Sequence, residues 1–440
     1  MSGGGWVVGG KVVTALAGLG SSVLLARMLS PEELGVYFLA YSLVMFTSMV
    51  GRLGLDRSIV RNVAENMGLK RFELAGAAVD ASFKLVLLGA SFAGLLYLVA
   101  APVIADTIFN APALMMLTVP VVFWIVAYVL LQFFAEAFRG FHDIRLATLF
   151  STVSYRLLLV LGLGVLWLAG EARLSIIILL SVVSTWSSVA IAGWLLHHRL
   201  KTLSRLESDA SAEPGIQPTP KSILALSLPL MVSKLALFAL AQSGIWIVGA
   251  VLTQEDVAIF GLVMRLLNFV VMPLIMVQEI VSPMIAEMHV QRKLHVLEPV
   301  LRTTATLLGL PSILLLLGFV TFGEAFLSNV FGPFYGQGAL VLIILSLGQV
   351  VNVLAGACAP ALMMTGHQVV MMRITVLTGA ATILLGILAA QHFGLIGLAA
   401  VMASGMIVQN ILMVAYVKLK LEIWTQVSLD IRDLKKALGV

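Results

Sequence analysis

Five basic residues lie inside predicted membrane-spanning segments, where charged side chains are rare. They are Lys11, Lys84, Arg156, Lys234 and Arg265. A charged side chain at the bilayer centre costs roughly 2.5 to 3.5 kcal/mol on insertion scales, so such residues usually face a partner or a water-filled cavity. Arginine binds phosphate through paired hydrogen bonds, and lysine acts as a point charge. The five cations therefore indicate a site for an anion such as a phosphate or pyrophosphate.

The depth of each cation in its span decides how strongly it indicates a site. At 1.5 Å per helical residue, Arg265 lies about 13 Å from the outer surface and Arg156 about 16 Å from the inner one, so both are predicted near the midplane. Lys84 can reach the cytoplasmic headgroups and is left out of the site. Arg52, at the inner end of the second span, could extend the basic cavity toward the cytoplasm or simply mark topology.

An internal repeat pairs two of these lysines. Residues 29–37 (LSPEELGVY) are echoed 223 positions later by residues 252–260 (LTQEDVAIF), and the same offset aligns Lys11 with Lys234. In membrane transporters built from two like halves, the substrate pathway usually lies where the halves meet. We therefore expect both lysines to face a shared seam, although each could also reach the membrane surface along a long helix.

Composition fixes the class of protein that must position these residues. The 440 residues are 60% hydrophobic and 11% charged, with a mean hydropathy of +1.06, which excludes a water-soluble globule. Apolar runs of about 20 residues match helices that cross about 30 Å of hydrocarbon. Their hydrophobicity is nearly continuous, whereas outer-membrane barrels alternate. The chain is therefore predicted to be an all-α polytopic membrane protein.

Twelve spans are predicted, six in each half. They cover residues 6–26, 34–50, 81–105, 113–133, 148–169 and 174–196, then 223–252, 257–281, 303–322, 338–364, 370–390 and 395–417. This divides the chain into an N-terminal six-helix lobe (1–196), a polar cytoplasmic linker (197–222), a C-terminal six-helix lobe (223–417) and a tail (418–440). The two lobes are expected to be pseudo-symmetric bundles.

Basic residues also set the predicted orientation. With the N-terminus on the cytoplasmic side, 20 of the 27 Lys and Arg residues fall in cytoplasmic segments and two in segments on the outer side, and the other five lie within spans. An even number of spans then puts both termini in the cytoplasm. In the tail, apolar residues recur at spacings of three and four (Trp424, Val427, Ile431, Leu434 and Leu438), which predicts an amphipathic helix, either on the inner leaflet or packed on the cytoplasmic surface.

Several functions are excluded or disfavoured by what the sequence contains. The net charge of +5 is mostly a topology signal, and no basic run resembles a nucleic-acid-binding module. The lone Cys358 suggests no metal site, and the absence of a Walker-type loop argues against ATP hydrolysis as the energy source. No cofactor is expected. Glu136 and Glu279, near cytoplasmic span ends, could carry H+ or Na+ for ion coupling or could form surface ion pairs.

Three motifs carry a resemblance to a known family. They are residues 25–37 (LARMLSPEELGVY), residues 51–56 (GRLGLD), and residues 139–142 (RGFH), the last echoed by residues 365–368 (TGHQ). The chain resembles the polysaccharide transporter family of oligosaccharide (O-antigen) flippases, in the multidrug/oligosaccharidyl-lipid/polysaccharide exporter superfamily. The resemblance implies two six-helix bundles around a central cleft that opens alternately to either side. It also implies that the first and seventh spans border the cleft.

The resemblance further implies the cargo and the compartment. Such a flippase moves an undecaprenyl-pyrophosphate-linked oligosaccharide to the outer leaflet of the bacterial inner membrane, among membrane lipids and possible glycan-assembly membrane proteins. Lys11, Lys234 and Arg52 would capture the anionic headgroup, and Arg156 and Arg265 would pass it on. The chain itself would not be an enzyme.

Three alternatives remain open on the sequence alone. A peptidoglycan-precursor flippase is chemically closest, because its cargo is also lipid-linked. An ion-coupled multidrug cation antiporter shares the expected fold but would want deep acidic residues, and none is evident. A membrane-embedded glycan polymerase or ligase would ordinarily need a sizeable outer loop, whereas the outer connections predicted here are short.

Overall fold

The computed structural model describes residues 2–207, 220–291 and 294–427 of the chain. Within these residues the regular structure is entirely helical. The chain divides into two compact units, Met1–Gln242 and Ser243–Val440. The α-helical membrane class predicted from composition is therefore confirmed.

Among its described residues, the N-terminal unit holds nine helices and the first part of a tenth. They are α1 Ser2–Met28, α2 Pro31–Gly51, α3 Leu55–Gly68, α4 Phe72–Pro102, α5 Pro112–Met116, α6 Thr118–Gly140, α7 Ile144–Thr148, α8 Ser154–Leu168, α9 Leu174–Glu207 and α10 Pro220–Val251. Two π-helical turns, Val103–Ile108 and Leu149–Val153, extend α4 and join α7 to α8.

The C-terminal unit contains the remaining helices. They are α11 Gln254–Val290, α12 Leu294–Val330, a 3-10 turn Pro333–Gly338, α13 Ala339–Ala355, α14 Cys358–Met364 and α15 Gln368–Leu421. Part of its core is an apolar cluster that joins α11, α12, α14 and α15, with Ile285, Leu297, Ala361 and Val417 fully buried.

The number of spans agrees with the predicted twelve. In the described residues, 11 helical stretches are long and apolar enough to cross a membrane. The longest of them, Gln368–Leu421, is two helices joined at Gly394, whose φ of 62° and ψ of −151° are not helical. Counting its two parts separately gives twelve.

The internal repeat is visible in the way two helices begin. At the start of α2, the Ser30 hydroxyl accepts from the Glu33 backbone N–H over 3.2 Å, and the Glu33 carboxylate accepts from the Ser30 N–H over 3.1 Å. Thr253 and Asp256 make the same reciprocal pair of bonds at the start of α11, both at 3.2 Å. Such a capping box satisfies backbone donors that the first helical turn leaves unpaired. The two boxes are 223 residues apart, as the sequence repeat requires.

A second pair of equivalent turns corrects the sequence alignment of residues 139–142 with residues 365–368. After α6, the Asp143 N–H donates to the Phe138 carbonyl over 2.9 Å, and His142 between them has a φ of 59°. After α14, the His367 N–H donates to the Leu362 carbonyl over 2.9 Å, and Gly366 has a φ of 85°. The structural equivalent of Gly366 is therefore His142 rather than Gly140, because both occupy the left-handed position that ends a helix.

The two halves differ after the second span of each. In the first half, α2 stops at Gly51, and a turn through Leu53 and Gly54 leads into α3. In the second half, α11 runs on to Val290 and contains Pro273 and Pro283. The turn that separates α2 from α3 is the feature that positions the site described below.

The unit boundary also differs from the predicted lobes. The sequence assigned residues 223–252 to the C-terminal lobe, whereas the first part of α10 belongs to the N-terminal unit. Two contacts join this part of α10 to α3. They are the hydrogen bond between Ser227 and Ser58 and the ion pair between Lys234 and Asp56, and both α10 residues precede Gln242. Of the predicted linker 197–222, residues 197–207 belong to α9 and residues 220–222 to α10, and the rest lies outside the described residues.

The predicted tail helix is interrupted. Helix α15 ends at Leu421, and Glu422 has a left-handed φ of 61°. The chain then runs beside the end of α13, where Thr425 Oγ1 donates to the Ala355 carbonyl over 2.9 Å and the Val427 N–H donates to the Leu354 carbonyl over 3.0 Å. Residues 422–427 are thus held in a non-helical form, and the rest of the predicted tail lies outside the described residues.

Candidate anion-binding site in the N-terminal unit

One carboxylate joins two of the predicted cations. Lys234 Nζ lies 2.7 Å from Asp56 Oδ2, and Arg52 Nη1 lies 3.2 Å from the same oxygen. The exposed fractions of the side chains are 37% for Lys234, 15% for Arg52 and 11% for Asp56. Two cations that share one carboxylate leave one net positive charge in this cluster.

The turn after α2 brings Arg52 and Asp56 together. Leu53 and Gly54 both have positive φ, 51° and 70°, and the Leu55 N–H donates back to the Arg52 carbonyl over 2.9 Å. The chain therefore reverses into α3 with Asp56 in its first turn. A carboxylate is favourable there because the helix dipole is positive at its N-terminus.

Close contact with α10 brings Lys234 to the same place. A Cβ atom at Gly54 would clash with the backbone of Ser227, so only glycine allows this approach. The hydroxyls of Ser58 and Ser227 are hydrogen-bonded at 2.6 Å. Lys234 follows Ser227 by seven residues, about two helical turns, and so lies on the same face of α10.

Arg156 occupies a different environment. Its Nε donates to the Tyr155 hydroxyl over 2.9 Å, and its Nη2 contacts the Tyr41 hydroxyl over 3.4 Å. Its guanidinium also lies 5.6 Å from the centre of the Tyr155 ring. Across residues 2–207, 220–291 and 294–427, no carboxylate forms an ion pair with Arg156. Because tyrosine hydroxyls are neutral, the positive charge is solvated but not neutralised.

A tyrosine connects the two groups of cations. The ring of Tyr128, on α6, meets the ring of Tyr155 edge-on, with 5.7 Å between centroids and an interplanar angle of 88°. Tyr128 is also within electrostatic range of both Arg52 and Arg156. We call Lys234, Asp56, Arg52, Tyr128 and Arg156 the polar series: the first three are in direct contact, and Tyr128 packs on Tyr155, which binds Arg156.

Lys11 lies on the face of α1 that points toward this series. Thr14 Oγ1 donates to Thr152 Oγ1 over 3.1 Å, and a Cβ atom at Gly18 would lie 3.6 Å from Arg156 Nη1. Lys11, Thr14 and Gly18 are spaced by three and four residues, so they share one face of the helix. Lys11 is half-buried and about 10 Å from Gly18 along the axis.

The remaining predicted residues are placed elsewhere or only in part. Glu136, on α6, pairs with Arg139 at 2.5 Å and is within electrostatic range of Arg52 and Asp56. Arg265 is half-buried on α11, in the C-terminal unit. The side chain of Glu279 lies outside the part of the chain that the structure describes.

Sequence reasoning missed Asp56, Tyr41 and Tyr128 as members of the site. Asp56 lies in the GRLGLD motif but outside the predicted spans, so the depth of a residue within its span gives no signal for it. The spacing of four residues between Arg52 and Asp56 is a usable signal, because residues four apart on a helix or tight turn can pair. Nothing in the local sequence points to Tyr41 and Tyr128 as neighbours of Arg156.

Comparison with a protein family decides the classification. The profile of the polysaccharide biosynthesis protein family matches residues 1–289. The chain belongs to this family. The match includes α1 to α10 and most of α11, and therefore every residue of the series from Lys234 to Arg156. No curated protein shows significant sequence similarity to the chain.

Solved structures show which fold this member of the polysaccharide biosynthesis family adopts. An inward-facing multidrug resistance MATE family transporter of the MOP superfamily is similar with a TM-score of 0.67 and 16% identity, over 93% of this chain and 94% of that one. The lipid II flippase MurJ, in an inward closed conformation, gives a TM-score of 0.63 at 14% identity, over 98% of this chain and 90% of that one.

A third structure is a MOP superfamily transporter from Pyrococcus furiosus, described as having a binding pocket of reversed polarity. Its TM-score is 0.55 at 16% identity, over 95% of this chain and 94% of that one. At these identities the likeness concerns the fold alone. The chain is therefore a multi-pass membrane protein of the polysaccharide biosynthesis family with the fold of MATE transporters and of a lipid flippase.

Proposed function

We propose that this protein is a flippase that moves an undecaprenyl-pyrophosphate-linked oligosaccharide from the inner to the outer leaflet of the bacterial inner membrane. The observation that carries the proposal is Arg156, a charge within a membrane span whose partners are tyrosine hydroxyls. A cation held in this way keeps its attraction for an anion. Family membership supplies the link to polysaccharide assembly.

The charges of the neighbouring cluster also favour an anionic cargo. Arg52, Asp56 and Lys234 together carry one net positive charge, and the buried Nε of Arg52 has no hydrogen-bond partner among the described residues. A pyrophosphate group offers several strong acceptor oxygens to such donors. Arginine fits phosphate geometry through two parallel hydrogen bonds, and in a partly dry site the attraction is stronger than in water.

In the mechanism we favour, the cargo headgroup competes with Asp56 for its two cations. Lys11, Arg52 and Lys234 are proposed to receive the headgroup from the cytoplasmic side, and Arg156 and Arg265 to pass it on. Alternating access then exposes the headgroup outward while the lipid chain stays in the membrane. When the product leaves, Asp56 again neutralises part of the cluster, which keeps the empty site from binding the headgroup too tightly to release it.

Ion coupling is assigned to Glu136. This carboxylate already pairs with Arg139 and lies within electrostatic range of Arg52 and Asp56, so its protonation would change the charge felt by the cation cluster. A Glu136→Gln variant should lose the stimulation of transport by an inward proton gradient and keep transport in its absence. Equal stimulation of the variant and the natural protein would remove Glu136 from the mechanism. Glu279 remains a second candidate for the same role.

A peptidoglycan-precursor flippase is the second candidate, because the lipid II flippase MurJ has a similar fold over 98% of this chain. Both cargoes are lipid pyrophosphates, so the cation series suits either. The multidrug MATE transporter shares the fold as well, but a cationic drug would be repelled by Arg156 and by the net charge of the cluster.

Transport in proteoliposomes distinguishes these functions. Purified full-length protein would be reconstituted with a labelled undecaprenyl-pyrophosphate oligosaccharide, with lipid II, or with a cationic dye in separate vesicles. We expect movement of the oligosaccharide lipid, and at least a tenfold loss of its rate in Arg156→Ala. An Arg57→Ala variant, which removes an exposed arginine of α3, is the matched control. Movement of only lipid II or only the dye, or an Arg156→Ala variant with the natural rate, would contradict the proposal.

A further inference from the structure

An apolar groove lies at the start of α1, away from the charged series. It has a volume of about 660 Å³ and runs between α1 on one side and α7 with the following π-helical turn on the other. Trp6, Gly9 and Val13 line the first wall, and Leu149 and Val153 line the second. The walls are almost entirely apolar, so the groove suits a hydrocarbon chain.

Two adjacent glycines of α1, Gly9 and Gly10, shape the groove in different ways. A Cβ atom at Gly10 would clash with Thr148, so this glycine allows α1 to approach α7. A Cβ atom at Gly9 would meet no atom within 4 Å. The missing side chain of Gly10 therefore lets the two walls approach each other, whereas that of Gly9 leaves the space between them open.

One cation stands at the rim of this groove. The guanidinium of Arg145 lies 5.3 Å from the centre of the Trp6 ring, in a cation–π contact. In the part of the chain that the structure describes, Arg145 forms no ion pair. A positive charge beside an apolar channel complements a lipid that carries phosphate at the end of a hydrocarbon chain.

A comparable groove in the C-terminal unit differs at this point. It has a volume of about 710 Å³ and is also lined by a cation and a tryptophan, Lys418 and Trp424. Lys418 Nζ lies 4.8 Å from the centre of the Trp424 ring. There, however, Lys418 Nζ donates to the Glu422 carbonyl over 2.9 Å. Its ammonium is thus partly committed to the backbone, which makes the Arg145 groove the better match for a phosphate.

We propose that the Arg145 groove binds the polyisoprenyl chain of the cargo, with the phosphate nearest the chain held at Arg145. This inference rests on the proposed function, since it assumes a lipid-linked cargo. Lys11 directly follows Gly10, and its face of α1 continues through Thr14 and Gly18 toward Arg156. A lipid seated in the groove would therefore present its headgroup at the beginning of the cation series.

Binding of undecaprenyl phosphate, which has the chain and one phosphate but no sugar, tests the groove directly. Full-length protein in phosphatidylcholine nanodiscs would be titrated with the labelled lipid. Gly9→Leu places a side chain in the open space of the groove and should weaken binding at least tenfold. Gly20→Leu is the matched control, because it adds the same side chain to α1 at another position where a Cβ atom meets nothing within 4 Å. Arg145→Gln should weaken binding about threefold to tenfold.

The possible results separate this inference from the proposed function. If Gly9→Leu bound undecaprenyl phosphate as tightly as the natural protein, the groove assignment would be overturned. Displacement of the lipid by an equal amount of phosphatidylglycerol would also overturn it, because the groove would then be a site for ordinary membrane lipid. Loss of binding in Gly20→Leu as well would also count against it, since the effect would not be local. Transport of the oligosaccharide lipid and its dependence on Arg156 are measured separately, so the groove could fail while the flippase assignment stands, and the reverse.

Discussion

Lys234 donates to Asp56 over 2.7 Å although the two residues are 178 positions apart in the chain. The bond joins α10 to the start of α3, and the same oxygen of Asp56 also receives Arg52. A cation that was predicted to bind cargo therefore has a partner in the described structure. The partner suits the proposed role because it is a single carboxylate shared by two cations, which a pyrophosphate could replace.

Removal of the Asp56 charge should strengthen cargo binding and slow its release. In Asp56→Asn, the cluster gains one net positive charge, so we expect the dissociation constant for the lipid pyrophosphate to fall about threefold to tenfold and the flipping rate to fall as well. Binding in nanodiscs and flipping in proteoliposomes measure the two effects. Glu65→Gln is the control, because Glu65 is 61% exposed and its pair with Arg61 is long, 3.9 Å. Weaker cargo binding in Asp56→Asn would rule out competition between Asp56 and the headgroup.

The Lys234–Asp56 pair should contribute modestly to stability. Lys234 is partly exposed and Asp56 keeps Arg52 as a partner, so the coupling free energy of the pair is expected to be about 1 kcal/mol. A double-mutant cycle with Lys234→Met and Asp56→Asn, followed by thermal unfolding in detergent, measures it. A coupling energy near zero would mean that the contact is too weak to hold α10 against α3.

Arg156 should depend on its charge more than on its tyrosine partner. Tyr155→Phe removes the 2.9 Å bond but leaves the guanidinium, so the flipping rate should fall only about threefold. Arg156→Lys keeps a positive charge without the paired donors and should be intermediate between the natural protein and Arg156→Ala. If Tyr155→Phe were as damaging as Arg156→Ala, the arginine would serve to position the tyrosine rather than to attract cargo.

Gly54 should be among the glycines least tolerant of substitution. Gly54→Ala combines a left-handed φ of 70° with a clash against Ser227, so we expect a loss of about 2 to 4 kcal/mol in the free energy of unfolding. Gly68→Ala, at the other end of α3, meets no atom within 4 Å and should be neutral or slightly stabilising. Equal thermal stability of the two variants would mean that α10 can move away from the turn without cost.

Much of the fold follows from the sequence because it depends on local signals. Hydrophobic length gave the twelve spans, and Ser30 with Glu33 three residues later is the signature of the capping box that starts α2. The polar composition after residue 196 predicted a linker, but its Lys, Arg and Leu residues are good helix formers and α9 continues to Glu207. In residues 422–427, which are the described part of the tail after α15, the contact of Thr425 with the end of α13 accompanies a non-helical backbone, and the amphipathic spacing beyond Val427 stays a prediction.

The site was predictable only in part, because its contacts join distant segments. Intramembrane charge marked Lys234 and Arg156 as candidates, but the sequence does not show that one is paired with a carboxylate and the other with tyrosines. Those partners lie on α2, α3 and α8, and Asp56 on α3 meets Lys234 through the close approach of α10 that Gly54 allows. Charge reasoning from a single span therefore finds cations, whereas tertiary structure decides how much of their charge remains available.

The duplication has a further meaning for the acid of the cluster. The offset that superimposes the capping boxes of α2 and α11 matches Lys11 with Lys234, and it also matches Asp56 with Glu279, while Arg52 falls on Ile275. In the sequence, a lysine and an acid therefore recur at this offset in both halves, whereas the arginine does not. A substitution at Lys234 or Asp56 can therefore be repeated at Lys11 or Glu279, the matching position of the other half. A difference between the two outcomes measures how far the halves have diverged in function.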